Sequence, residues 1–200
     1  MSRLQPGKAT CLNHLRAAFG KLAGVRGTGA ATPGTTVLLV AVPEARRLYE
    51  RWDGDHRRLG VPGLPLHATV LYPFMPAAQI DSTIEHDLEA LAASQRRFDY
   101  VLDRLGRFPG VLYAAPSPSR PFVALTQAVH ARWPLHPPYG GTYPEIVPHV
   151  TLLLGKEPAG LAAAVRSALP VRGIARELLL LMIGEDKRWV ELKRFALGGW

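Results

Sequence analysis

The apolar and polar positions of this chain follow two periods, one typical of short buried strands and one typical of helices. Apolar runs rich in Val, Leu and Thr that end at Pro or Gly indicate strands. Apolar residues spaced by three and four indicate helices that bury one face. Strands are predicted at residues 36–42, 98–105, 111–115, 121–125, 174–183 and 188–197, and two more surround His67 and His149. Helices are predicted from Pro43, from Asp81 or Ser82 to about Ser94, and over residues 126–133 and 159–169.

The order of these predicted elements occurs twice. Each copy reads strand, helix, loop, His-containing strand, helix and two further strands, over residues 36–116 and 121–200. This pattern indicates one duplication rather than an array of repeats. Helices on one face of a sheet leave the other face open for a cleft. Residues 1–35 have no counterpart before the second copy, and we interpret them as a basic flexible extension or linker ahead of a domain spanning 36–200.

Both His-containing strands carry the same short motif. It reads His67-Ala68-Thr69 in the first copy and His149-Val150-Thr151 in the second. Successive side chains of a strand point to opposite faces, so His and Thr share one face, roughly 6.5–7 Å apart. A single strand His is more often a partly buried structural residue, and Thr is common in strands. However, only two of the seven histidines have Thr two positions later, and both lie in predicted strands, which favours a shared function.

These paired His-x-Thr-apolar motifs resemble those of the 2H phosphoesterases. That superfamily includes the 2′-5′ RNA ligase-like proteins and the cyclic nucleotide phosphodiesterases. The segment from His67 to Phe74 is especially similar to the first motif of the bacterial 2′-5′ RNA ligase-like branch. The resemblance covers the chain from about residue 36 onward. It implies an α+β fold of two pseudo-symmetric lobes, each an antiparallel sheet with outer helices, which face each other across a central cleft.

The resemblance also implies a two-histidine phosphoesterase. Histidine has an ordinary pKa near 6.5, so one imidazole can take a proton from water while the other protonates the leaving alkoxide. Thr69 and Thr151 would hold the non-bridging phosphate oxygens. The expected substrates are 2′,3′-cyclic phosphates or 2′-5′-linked nucleotides and RNA, and 2′-5′ ligation is the same chemistry in reverse. The residues do not decide whether His67 or His149 is the base.

The expected chemistry uses neither a metal nor a cofactor. Zinc sites usually need three or four clustered His, Cys or carboxylate ligands, whereas each motif offers one His without a nearby acid or thiolate. The chain also has no Walker-type glycine-rich loop for ATP.

Substrate contacts are predicted from the aromatic residues beside the motifs. Phe74, Tyr139 and Tyr143 lie in loops that flank the two motifs and could stack on a base, although ordinary packing explains each equally well. Tyr72 stands at an odd offset from His67, so strand alternation predicts that it lies on the core face.

Charge and composition narrow the partners and the location. Residues 1–34 hold five cations and no acid, and subtracting these five from the net charge of +8 leaves about +3 for the rest. This balance suits RNA or a nucleotide, although a basic tail that aids solubility would produce it too. The single cysteine, Cys11, fits a reducing cytoplasm, and no apolar run approaches the roughly 20 residues of a membrane span, so we expect a cytoplasmic protein. A monomer is expected as well.

An alternative function keeps the same scaffold without catalysis. The chain could be an RNA- or nucleotide-binding module whose cleft only holds its ligand. Intact His and Thr in both motifs favour the enzyme, because a binding module has no need of two proton-transfer groups.

Overall fold

The computed structural model describes residues 32–52, 54–55 and 59–199. The strands are β1 Thr36–Ala41, β2 His67–Leu71, β3 Phe98–Phe108, β4 Val111–Ser117, β5 Val150–Leu154, β6 Val171–Ala175, β7 Glu177–Ile183 and β8 Trp189–Ala196. The α-helices are α1 Ser82–Ser94, α2 Arg120–Arg132 and α3 Leu161–Ala168, with short 3-10 helices at Pro43–Tyr49, Ala77–Gln79 and Pro138–Gly141. The predicted extension lies outside the described residues except for its last four positions.

The strands form one curled antiparallel sheet in the order β6-β3-β4-β5-β2-β1-β7-β8. The α+β class with antiparallel strands and helices is confirmed. Its two four-stranded halves are continuous rather than separate sheets, because β2 pairs with β5 through Ala68 and Val150 at the centre. Each half mixes strands from both parts of the chain, since β3 and β4 lie beside β5, whereas β7 and β8 lie beside β1.

The main core lies between the sheet and the helices. Alternate residues of the central strands, such as Leu38, Val40 and Ala68, point into it. Helix α1 closes one part of the core with Leu88 and Ala92. Its start is fixed by Asp81, whose carboxylate accepts hydrogen bonds from the N–H groups of Thr83 and Ile84, both at 2.9 Å. The predicted start of this helix at Asp81 or Ser82 is therefore confirmed, with Asp81 as the N-cap.

The strand predicted at residues 121–125 is wrong, because this segment is the first half of α2. Its buried residues recur at helical spacing: Phe122, Leu125, Thr126 and Val129. Pro121 stands in the first turn, where its missing N–H costs no helical hydrogen bond. A short apolar run does not by itself distinguish a strand from a buried helical turn. The strand that pairs with β5, as β1 pairs with β2, is β4.

The single strand predicted at residues 174–183 is also wrong. The chain forms β6, leaves the sheet at Arg176 and re-enters it as β7. Strand β6 pairs with β3 at one edge of the sheet, whereas β7 pairs with β1 in the other half. The apolar run from Leu178 to Ile183 explains β7 but contains no signal for this change of neighbour.

Candidate active site

The two motifs lie side by side in the middle of the sheet. Because Ala68 is paired with Val150 in antiparallel register, the neighbouring positions set His67 opposite Thr151 and Thr69 opposite His149. Residues directly opposite in such a pair have Cβ atoms roughly 4.5–5.5 Å apart. The four predicted side chains therefore share the face of the sheet that is turned away from the helices. His67, His149 and Thr151 are each only 7% exposed.

Both imidazoles are oriented by the same backbone contact. Nδ1 of His67 lies 2.7 Å from the carbonyl oxygen of Pro65, and Nδ1 of His149 lies 2.8 Å from that of Val147. A carbonyl oxygen only accepts, so each Nδ1 carries the proton and donates it. In the neutral ring, this leaves the Nε2 lone pair as the basic site. The two copies thus present the same tautomer, which the sequence pattern does not predict.

Burial keeps both imidazoles neutral in the unliganded protein. Burial lowers the pKa of His67, the Pro65 carbonyl opposes this shift and the nearby His149 adds to it, which together bring the pKa to about 4. Burial also lowers the pKa of His149, and the Val147 carbonyl opposes this shift. A bound phosphate would reverse the trend, because an adjacent negative charge favours the imidazolium form. The pair can therefore accept one proton and donate another at an anion.

A β-bulge follows the threonine in each motif strand. In β2, Thr69 pairs with Leu39 but Leu71 pairs with Leu38, so one residue between them is extra. In β5, Thr151 pairs with Tyr113, and the register shifts in the same way before Leu153. An extra residue reverses the alternation of side chains beyond it. The equivalent positions of these bulges extend the internal symmetry of the site beyond the His-x-Thr motifs.

The first bulge overturns the prediction for Tyr72. Its ring does not lie in the main core. It belongs to a smaller apolar cluster with Leu39 and Leu179, on the face that carries His67. Its edge meets the ring of Trp189, with the ring centres 6.3 Å apart. Strand alternation counted from His67 gave the wrong face for Tyr72, because the bulge inserts one extra residue between the two positions.

An aromatic wall stands beside His149. The rings of Phe108 and Tyr113 stack with centres 4.3 Å apart, and both meet the imidazole of His149 edge-on, at 5.2 and 5.4 Å. Sequence reasoning missed both residues. The signal was available in the β3–β4 hairpin, whose register sets Tyr113 opposite Gly106, where the ring lies over the bare backbone.

The loop before the second motif reaches the first one. Tyr139 adopts a left-handed backbone conformation with φ of 52°, and its N–H donates to the carbonyl of Tyr72 at 2.7 Å. Its hydroxyl is hydrogen-bonded to the side chain of Thr69, and burial raises the pKa of this phenol to about 12. The ring of Tyr143 meets that of Tyr139 edge-on at 5.6 Å. The structure therefore brings Tyr139, and Tyr143 behind it, to the predicted site.

Phe74 is placed elsewhere. Its side chain is 3% exposed and lies in the main core, against Trp133 at 5.3 Å and His136 at 5.9 Å. A ring enclosed in this way cannot stack on a substrate base, so the prediction for Phe74 is not carried further. Its place follows from the chain beyond β2, where the Phe74 N–H donates to the carbonyl of Thr36 at 3.0 Å.

Metal ligands and membrane-spanning helices are both missing from the part of the chain that the structure describes. There, no three His, Cys, Asp or Glu side chains are grouped as metal ligands would be. Within the same residues, no helix combines the length and apolar character that a membrane crossing requires.

Comparison with known proteins identifies a family and a fold. A family model described as the 2′-5′ RNA ligase superfamily matches residues 40–186. No curated protein matches the chain. A solved structure described as a phosphoesterase is 22% identical, with a TM-score of 0.57, covering 84% of this chain and 99% of its own.

Two further solved structures have the same fold. TT0787 of Thermus thermophilus is 21% identical with a TM-score of 0.58, over 82% of this chain and 98% of its own. Escherichia coli LigT complexed with 3′-AMP is 22% identical with a TM-score of 0.51, over 83% and 99%. LigT has also been solved with NADP+ and with ATP. At these identities the likeness is one of fold.

Proposed function

Because the chain belongs to the 2′-5′ RNA ligase superfamily, we propose that it is a metal-independent phosphoesterase that acts on 2′,3′-cyclic phosphates or 2′-5′-linked nucleotides and RNA. The observation that carries this proposal is the matched pair of imidazoles. His67 and His149 are both held through Nδ1 by a backbone carbonyl, and both belong to one face of the sheet. This arrangement suits two proton transfers at one phosphate.

In hydrolysis, the oxygen of water forms a bond to phosphorus as the bond to one ribose oxygen breaks. One histidine takes the water proton at Nε2, and the other, protonated beside the phosphate, gives its Nε2 proton to the leaving ribose oxygen. The hydroxyls of Thr69 and Thr151 donate hydrogen bonds to the non-bridging oxygens, where negative charge accumulates. Ligation is the reverse reaction, with the roles of the histidines exchanged.

The aromatic residues at the first motif are proposed substrate contacts. Tyr139 lies beside Thr69 and Tyr143 packs against Tyr139, so a base attached to the reacting phosphate can stack on this pair of rings. Binding of a nucleotide at this site is supported by the LigT structures with 3′-AMP, NADP+ and ATP. Since both motifs come from one chain, a single copy holds the whole site, and a monomer is sufficient for activity.

The test is a substrate panel assayed by chromatography of the products. It contains the four 2′,3′-cyclic mononucleotides, 2′-5′-linked oligoadenylates and RNA ending in a cyclic phosphate. We expect cleavage of at least one class, at an unchanged rate in excess EDTA. Binding without turnover of any member would favour the non-catalytic module instead. Loss of activity in EDTA, with recovery on adding zinc or manganese, would contradict the metal-free mechanism.

A further inference from the structure

The two halves of the sheet carry opposite charges at equivalent positions around the motifs. Ala114 pairs with Val150, so the next position places Ala115 beside His149. Ala115 in turn pairs with Arg104 on β3. Three side chains therefore lie in a row across the sheet: the imidazole of His149, the methyl group of Ala115 and the guanidinium of Arg104.

The matching row on the other side ends in a carboxylate. His67 pairs with Ala41 on β1. The register in which Leu39 pairs with Leu179 places Ala41, two residues further, beside Glu177 on β7. The corresponding row on this side consists of the imidazole of His67, the methyl group of Ala41 and the carboxylate of Glu177. Arg104 and Glu177 occupy equivalent places, each two strands from a motif histidine.

The neighbours of these two residues preserve the difference in charge. Glu177 contacts Arg194 at 3.3 Å, but Arg194 is also held by Glu191 at 2.9 Å, so two carboxylates face one guanidinium. Arg104 contacts only its chain neighbour Asp103 among the ion pairs of the described residues, at 3.4 Å, and its side chain is 72% exposed. Among these ion pairs, the His67 side has two carboxylates for one guanidinium, whereas the His149 side has one carboxylate for the largely exposed guanidinium of Arg104.

Arg104 is also within reach of the cleft. Two strand spacings separate its backbone from that of His149, roughly 10 Å. Only the methyl group of Ala115 stands between them on this face. Burial raises the pKa of the Tyr113 hydroxyl in the aromatic wall beside His149, and the nearby positive charge of Arg104 opposes this shift. A phosphate one nucleotide from the reacting group would lie over Ala115, within reach of the guanidinium.

We infer that Arg104 forms a second phosphate subsite, so that an oligonucleotide substrate runs from the reacting phosphate across β4 and β3 rather than across β1 and β7. The inference rests on the proposed function and specifies its substrate: an oligonucleotide is preferred over a mononucleotide because its neighbouring phosphate meets Arg104. On the opposite side, the carboxylates of Glu177 and Glu191 repel such a phosphate.

The test compares Arg104→Gln with a matched arginine on the same strand. Arg107 stands three residues further along β3, hence on the opposite face, where it binds Glu157 at 3.0 Å. Both variants lose one positive charge. The substrates are a 2′,3′-cyclic mononucleotide and a trinucleotide that ends in the same cyclic nucleotide, at two salt concentrations.

Arg104→Gln should lower kcat/KM for the trinucleotide about fivefold, the scale of one exposed charged contact, and leave that for the mononucleotide unchanged. For Arg104→Gln on the trinucleotide, the slope of log kcat/KM against log salt concentration should become shallower by about 0.7. Arg104→Lys should restore much of the preference, and Arg107→Gln should behave as wild type. Equal losses on both substrates, no loss on either, or the same loss in Arg107→Gln would overturn the inference.

Binding separates a failure of this inference from a failure of the proposed function. Fluorescence anisotropy with a labelled trinucleotide 3′-phosphate, and competition by a 3′-mononucleotide, need no turnover. If no substrate is cleaved but Arg104→Gln selectively weakens trinucleotide binding, the subsite stands and the catalytic proposal fails. If the wild type is active and Arg104→Gln binds both ligands as wild type does, the subsite alone is wrong.

Discussion

The phenol of Tyr139 is hydrogen-bonded to the side chain of Thr69, although the two residues lie in different halves of the chain. The contact depends on the left-handed backbone of Tyr139 and on the bond from its N–H to the carbonyl of Tyr72. The loop that leads to the second motif therefore orients the threonine of the first. Thr151 instead has the rings of Tyr113 and Phe108 on its side of the site.

Replacing Tyr139 by Phe should lower kcat by about three- to tenfold, the scale of one intramolecular hydrogen bond. The ring that would stack on a base is kept, so KM should change less than kcat. Steady-state kinetics on a 2′,3′-cyclic mononucleotide gives both constants. Tyr143→Phe is the matched control, because it removes a phenol hydroxyl from the neighbouring ring. An unchanged kcat in Tyr139→Phe would show that Thr69 needs no such orientation.

Substituting either motif histidine should nearly abolish turnover. His67→Ala and His149→Ala should each reduce kcat by at least ~10²-fold, the contribution of a positioned proton-transfer group. The fold should persist in both, as checked by circular dichroism, because these side chains are outside the main core. His86→Ala, an exposed position on α1, is the control and should match the wild type. Near-normal turnover in one motif variant would rule out paired catalysis.

Acid should destabilise the folded protein through its buried imidazoles. Burial lowers the pKa of His67 from 6.5 to about 4, so between these pH values the unfolded chain binds a proton that the folded chain does not. Stability therefore falls as pH drops through this window, by about 3 kcal/mol for this one group by pH 4. Urea unfolding at several pH values measures it. In the His67→Ala variant, the free energy of unfolding should fall less steeply with decreasing pH than in the wild type. An equally steep fall would show that other groups cause the effect.

The pH dependence of kcat/KM should be bell-shaped with its maximum below pH 6.5. This constant reports the free enzyme, in which the pKa values of His67 and His149 are both lowered while one proton must be present. The kcat profile should lie at higher pH, because a bound phosphate raises the imidazole pKa values. Initial rates from about pH 4.5 to 9 test both statements. A monotonic kcat/KM profile would contradict acid–base catalysis by the pair.

Removing the N-terminal segment should spare catalysis on a small substrate. The truncation should end before residue 32, because the next residues are bonded to β7. The N–H of Gly34 donates to the carbonyl of Ile183 at 2.9 Å, and the N–H of Ile183 donates to the carbonyl of Thr35 at 3.0 Å. Turnover of a cyclic mononucleotide should be almost unchanged. Affinity for long RNA should fall and depend less on salt, since residues 1–31 carry five cations and no acid. A folded but inactive truncated protein would place this segment in the site.

The sequence by itself determined what depends on local periodicity. Strand alternation correctly put His67 and Thr69 on one face, and likewise His149 and Thr151, because side-chain direction within a short strand follows from the backbone alone. The same local logic identified α1, with its start at Asp81 or Ser82, and the neighbouring strands β3 and β4. The resemblance of the two motifs then indicated the superfamily.

Local periodicity failed where the chain interrupts it. One extra residue after Thr69 moved Tyr72 to the face of His67, and such a bulge is set by pairing with β1, which a linear pattern does not contain. The apolar segment 121–125 became helical because Phe122 and Leu125 face the core from above the sheet, a choice made by packing rather than by local preference.

Only the tertiary structure decided how the two halves combine. The central pairing of β2 with β5 joins residues far apart in the chain, and it alone sets His67 opposite Thr151. The carbonyl contacts of the imidazoles are local, since each joins residues two positions apart. The bond between Tyr139 and Thr69 and the contrast between Arg104 and Glu177 follow instead from that pairing and from the strand order around it. Such contacts arise because distant segments bury surface together, and no spacing along one strand or one loop specifies them.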